Sequence, residues 1–162
     1  MLKNIAEKLL KTDDSLAPTA LRIGLGSVMF AHGAQKALGW WGGAGFEQTM
    51  EFFTASGMPS LIALLVIAAE FLGGAALILG VGGRVAAAGI GLVMIGAIGM
   101  VHGSGGFFMN WFGAKQGEGF EYHLLAIALA AGVVIAGSGA YSLDHWLLRR
   151  LQDQPAPQPA LA

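Results

Sequence analysis

The chain has 162 residues, of which 55% are apolar and 12% charged. A soluble domain carries about 25% charged residues, so half that share leaves too little charge for a water-facing surface. Net charge is −1, which offers nucleic acid no basic field, and the lack of cysteine excludes disulfides, thiolate metal sites and thiol redox chemistry.

The opening stretch MLKNIAEKLLKTDDS does not read as a signal peptide, because Glu7, Lys8 and Lys11 interrupt its apolar residues ahead of Asp13 and Asp14. Leu2, Ile5, Leu9 and Leu10 recur at helical spacing and predict a short helix on a membrane surface, within an interfacial segment over 1–16. A transmembrane domain is expected over 17–146. Crossing a hydrocarbon core of about 30 Å takes about 20 mostly apolar residues. Four stretches meet that need: about 18–38, 59–80, 84–102 and 121–141. The Gly82-Gly83 link makes the second and third an antiparallel hairpin. Between the first two, WWGGAGFEQTMEFFTASGMP places Phe46, Thr49, Met50 and Phe53 on one helical face, which predicts a short amphipathic helix on the outer side. The aromatic, glycine-rich third loop is expected to cap the same side. The proline-rich end, within 147–162, reads as a disordered cytoplasmic tail.

Twenty-six glycines in a helical chain suit helices that approach closely in lipid. A ladder of Ala128, Gly132, Ala136 and Ala140 and a Gly99–Gly103 step are the candidate seams. Lysine and arginine set the orientation. Lys3, Lys8, Lys11, Arg22, Arg84, Arg149 and Arg150 gather on one side, against Lys36 and Lys115 on the other. The expected fold is therefore all-α, an integral membrane four-helix bundle with both termini cytoplasmic.

Ionisable groups inside spans are costly, at about 2.5–3.5 kcal/mol each on translocon scales, and mark candidate sites. His32 and Lys36 share a face of span one, Glu70 lies on span two, His102 ends span three, and Glu121, Tyr122 and His123 open span four. Glu70 is ten residues past Ser60, roughly 15 Å deep at 1.5 Å per residue. These groups step inward from the outer side toward Glu70, and the bundle interior is their expected place. Each also has a plainer reading. Lys36 reads equally as a lysine snorkelling to headgroups, His102, Glu121 and His123 as interfacial residues, and His32 as a packing histidine. Asp144 and His145 read as a helix terminus among headgroups.

The stretches ALRIGLGSVMFAHGAQKALGWWGG, GFEQTMEFFTASGMP, AAEFLGG and GFEYHLLAIALAAGVVIAGSGAYSLD, in this order, resemble the DoxX family of small bacterial membrane proteins over residues 17 to 145. The family is named for its likeness to the membrane subunit of thiosulfate:quinone oxidoreductases. The resemblance implies a multi-pass protein of the bacterial plasma membrane with recurring polar residues at His32, Lys36, Glu70 and His102, joined by Glu121 and Tyr122.

The leading expectation is a quinone-interacting subunit of a membrane oxidoreductase, in sulfur-compound oxidation or oxidative-stress defence. His32 and Glu70 are its expected catalytic groups, and Lys36, His102 and Tyr122 join them in binding quinone. Imidazole suits proton-coupled chemistry because it titrates near neutrality. The electron donor would be a partner protein or a sulfur compound, since no flavin, NAD or thiol motif is present. Two other readings stand beside it: a structural or assembly subunit, and a small transporter or proton pathway, which would need a homo-oligomer. Haem on His32 and His102 is disfavoured by their difference in depth, and no ligand spacing supports a metal.

Overall fold

The computed structural model describes residues 7–152, which are all-helical with no strand among them. Helix α1 (Leu16–Leu38) is followed by a 3-10 turn at Trp40–Gly42 and by α2 (Gly45–Ala55). Then come α3 (Ser60–Leu79), α4 (Gly83–Ala97), α5 (Glu121–Ala136) and α6 (Leu143–Gln152). Two segments, Ser60–Leu79 and Gly83–Gly105, are long and apolar enough to cross a membrane, and Glu121–Ala136 is a shorter apolar helix. With Arg22, His32 and Lys36 on it, α1 has the length but not the apolarity.

Helix α1 packs most extensively on α3 and also touches α5, while α4 packs on α5 and on α3. Leu25 and Met29 from α1 meet Leu77 of α3, Ile90 and Met94 of α4, and Ala130 and Val133 of α5 in one core. The outward faces are apolar as well: Leu65 and Leu72 on α3, Leu92 on α4 and Leu125 on α5 are each more than half exposed. Helices apolar all round suit a surround that is itself apolar.

The α1–α3 seam is set by glycine. A Cβ at Gly33 would collide with the backbone of Phe71, and one at Gly74 with the backbone of Phe30. Of the expected ladder, Gly132 meets the Leu21 side chain of α1, while Ala128 is exposed and Ala140 lies beyond the end of α5. A Cβ at Gly99 would meet no atom within 4 Å among the described residues.

Span boundaries differ from expectation at three places. The fourth apolar helix stops at Ala136 instead of 141, because Gly137 and Gly139 adopt positive φ (86° and 75°). The third ends in a π turn, Ile98–His102, and a 3-10 turn, Gly103–Gly105. Helix α6 then runs to Gln152, past residue 147 where the tail was expected to begin. Residues 153–162 of that tail lie outside the described residues, as do residues 1–6 of the expected N-terminal helix; residues 7–10 are helical. Helix α2 forms where the amphipathic pattern predicts one. Its inward face is Thr49 with Met50 and Phe53 half-buried, while Phe46 is exposed.

Charged side chains hold the end where α3, α5 and their following turns meet. Arg22, 1% exposed, was expected only as a topogenic charge. Its guanidinium donates to the carbonyls of Leu77 (2.8 Å) and Ile78 (2.7 Å) at the end of α3. It also donates to those of Ser138 (2.6 Å) and Tyr141 (2.8 Å) after α5. Asp144, 2% exposed, is not among headgroups. Its carboxylate accepts from the amides of Gly82 (2.8 Å) and Gly83 (3.0 Å), capping α4, and from the Ser138 hydroxyl (2.6 Å). Arg84 donates to the carbonyls of Val134 and Ile135, the latter at 3.0 Å, and to that of Lys11. Cations thus sit on helix C-termini and the anion on an N-terminus, the signs that helix dipoles favour.

Arg22→Met removes the donor to four carbonyls. A buried group left unsatisfied costs about 1–3 kcal/mol, so a stability loss on the order of 3 kcal/mol or more is expected. Arg22→Lys, which keeps the charge without the fork, should recover part of it. Thermal unfolding in detergent checks this; an unchanged midpoint in Arg22→Met would refute the role.

Candidate functional site

The polar residues singled out in the sequence lie toward the other end of the helices. The close approach at Gly33 lays α1 on the backbone of α3 beside Glu70 and Phe71. One turn later the Lys36 ammonium reaches Glu70 and donates to its Oε2 at 2.6 Å. The Glu70 side chain is 7% exposed and that of Lys36 26%. A carboxylate halfway along an apolar helix is thereby paired, as burial of a charge requires. Lys36 is not a free snorkelling lysine.

A run of rings continues from this pair. His32, one turn before Lys36, lies within electrostatic reach of both Lys36 and Glu70. Its ring is 6.3 Å from that of Tyr122, which is 5.4 Å from His123, which is 4.2 Å from His102. The π turn at Ile98–His102 breaks the α-helical register ahead of His102, a distortion often found at functional sites. Four helices therefore contribute: α1 with His32 and Lys36, α3 with Glu70, the end of α4 with His102, and α5 with Tyr122 and His123.

The expectation of an interior cluster holds for Glu70 and His123, which are buried. Lys36, His102 and Tyr122 are half-buried and His32 is exposed, so the group runs from the interior to the flank of α1. The Tyr122 hydroxyl and His123 Nδ1 are buried and make no hydrogen bond among the described residues. A buried polar atom without a partner is uncommon and calls for an explanation. His102 Nδ1 lies 3.2 Å from the Glu118 carbonyl.

Glu121 belongs elsewhere. Its carboxylate accepts from the Met109 amide (2.8 Å) and stands 3.4 Å from Trp111 Nε1, while Glu118 accepts from the Asn110 amide (2.6 Å). These bonds tie down the loop before α5. Conversely, His123, read in the sequence as interfacial, is the buried link between Tyr122 and His102. Its signal was its place beside Tyr122, and nothing in the spacing of the histidines announces it.

Removing one partner of the ion pair leaves a charge in a poorly solvated place. Lys36→Met or Glu70→Gln should each cost roughly 2–3 kcal/mol, at or under the low end for fully buried pairs. The double variant should lose clearly less than the sum. Additive losses in a double-mutant cycle by thermal unfolding would show that the contact carries no coupling.

The DoxX family model matches residues 17–103, a stretch that contains His32, Lys36, Glu70 and His102. A protein of Bacillus subtilis (strain 168) described as "Putative oxidoreductase CatD" is 30% identical over 129 residues, covering 80% of this chain and 85% of its own. No solved structure matches significantly. The match spans more than half of the chain and both helices of the Lys36–Glu70 pair, and the protein belongs to the DoxX family.

Proposed function

We propose that the protein is a four-span protein of the bacterial plasma membrane, with both termini in the cytoplasm, that binds quinone as a subunit of a membrane oxidoreductase. The observation that carries this reading is the pair of buried atoms without a hydrogen-bond partner among the described residues, Tyr122 Oη and His123 Nδ1, beside the exposed His32 and the Lys36–Glu70 pair. Groups of this kind suit a ligand with carbonyl oxygens, and a quinone has two. When bound, a quinone accepts two electrons together with two protons. The chain supplies what that chemistry needs from a protein. Tyr122 and Lys36 are hydrogen-bond donors, imidazoles hold or pass protons near neutrality, and the Glu70 carboxylate keeps Lys36 in place. The Bacillus subtilis relative, designated an oxidoreductase, is consistent with this class of reaction. Electrons come from a partner protein or a reduced sulfur compound.

One observation favours a second reading, an assembly subunit. Lys36 and Glu70 satisfy each other, as structural groups do. The quinone content of protein purified in mild detergent separates the two. Near-stoichiometric quinone in wild type, lost in folded His32→Ala and Tyr122→Phe variants, is expected. Quinone at the lipid background in wild type would reject the redox reading in favour of assembly.

The orientation is checked separately. The chain has no cysteine, so single cysteines report cleanly. Ser56→Cys and Gln116→Cys should react with an impermeant thiol reagent added to intact cells. Asp13→Cys and Gln152→Cys should react only after lysis; the reverse pattern would invert the topology.

A further inference from the structure

Helix α6 is fixed at its start to the edge of the apolar bundle. Asp144, in its first turn, accepts from the amides of Gly82 and Gly83. That turn joins the two segments long and apolar enough to cross a membrane, so in a bilayer it lies where they leave the hydrocarbon, and the first turn of α6 lies there with it. Spacing then decides what each side of α6 meets. Asp144 faces inward, with Leu148 and Leu151 half-buried along the same side. Leu143, Trp146, Leu147 and Arg150 recur at three- and four-residue steps and are all exposed, Trp146 by 52%. The Arg150 guanidinium stands 5.1 Å from the Trp146 ring centroid, a cation–π contact. Between α6 and the chain ahead of α1 runs a groove of about 860 Å³, where Lys8, Lys11 and Arg149 stand with Glu7, Asp14 and His145. Asp14 is turned to His145, Oδ1 to Nδ1 at 2.9 Å. Three permanent cations thus share the groove with two carboxylates, and one of those is engaged.

The two features select one partner together. In water, the outward side of α6 would leave an indole and two leucines wet. At the headgroup boundary of a bilayer those side chains are buried, and cations on the same helix stand among phosphates. An indole suits that level because one edge of it is polar. We infer that α6 is an interfacial helix that binds anionic phospholipid. Leu143, Trp146 and Leu147 sink to the acyl boundary, and Arg149, Lys8 and Lys11 take the headgroup phosphate at the groove. A soluble phosphate would engage the same cations but leave the apolar stripe uncovered, so the stripe selects the lipid. This inference needs the chain in a bilayer and does not need the quinone reading. It also ties the leaflet to the buried clasp, since Asp144 belongs to the bound helix and holds the start of α4.

The test is a titration of detergent-purified full-length protein with brominated phosphatidylglycerol or brominated phosphatidylcholine, read as quenching of tryptophan fluorescence. Phosphatidylglycerol should quench at the lower concentration, and the difference between the lipids should shrink in Trp146→Phe, which removes the reporter on α6. Each cation near an anionic headgroup is worth about fivefold in affinity. The triple variant Lys8→Gln/Lys11→Gln/Arg149→Gln should therefore need on the order of a hundredfold more phosphatidylglycerol. Its lipid-free thermal midpoint should stay put, because all three side chains are exposed. In wild type, salt at about 0.5 M should erase the preference by screening. Equal quenching by the two lipids, or a preference that survives in the folded triple variant or at high salt, overturns the inference. So does a difference undiminished in Trp146→Phe, which puts the lipid elsewhere. Loss of the preference on adding inorganic phosphate at equal ionic strength makes the groove a site for the free anion and overturns the lipid as its source.

Discussion

Backbone carbonyls at the end of a helix have no partner within it, and in an apolar surround water does not supply one. Arg22 meets that requirement for two chain segments at once. Its planar fork reaches the last carbonyls of α3 and the irregular stretch after α5, so α1, α3 and α5 share one buried cation. Asp144 completes the arrangement from the opposite sign, holding the amides at the start of α4 and the Ser138 hydroxyl. Three separated parts of the chain are held in one register by groups that have no better place to go. The break at Gly137 makes this possible, because a helix continuing to residue 141 would point the carbonyls of Ser138 and Tyr141 along its own axis instead of toward Arg22.

Toward the other end the same helices are arranged differently. There the contact between α1 and α3 is backbone against backbone at Gly33 and Gly74. That closeness brings Lys36 to Glu70 and leaves His32 on the flank. The clasp is saturated with hydrogen bonds, whereas the ring cluster retains unfilled ones. Fully bonded and unsatisfied buried polar groups thus lie toward different ends of the helices. Helix packing connects them, and no shared residue does.

Much of this was legible in the residues. Long apolar runs and glycine punctuation located α1, α3, α4 and α5, and the pattern around Thr49, Met50 and Phe53 located α2. Midspan charge singled out Glu70 and His32. What escaped has a common physical cause. Arg22 and Asp144 sit near the ends of apolar runs, where charge usually faces headgroups, and only tertiary contact shows that they turn inward. The glycine seam escaped for a similar reason: many glycines occur at four-residue spacing, and spacing does not say which meets a backbone. His123 looked like one more polar residue at a helix start until His102 was found against it.

The span in sequence of the Arg22 clasp carries a consequence for how the protein is made. Arg22 and its acceptor at Ser138 are separated by 116 residues. At synthesis rates of about 5–20 residues per second, the guanidinium waits on the order of ten seconds for its last partners to emerge from the ribosome. Within that interval α3 is the first helix able to satisfy it, through the carbonyls of Leu77 and Ile78. The stretch after α5 therefore acts as a latch in time as well as in space: the first helix is not finished until that stretch arrives.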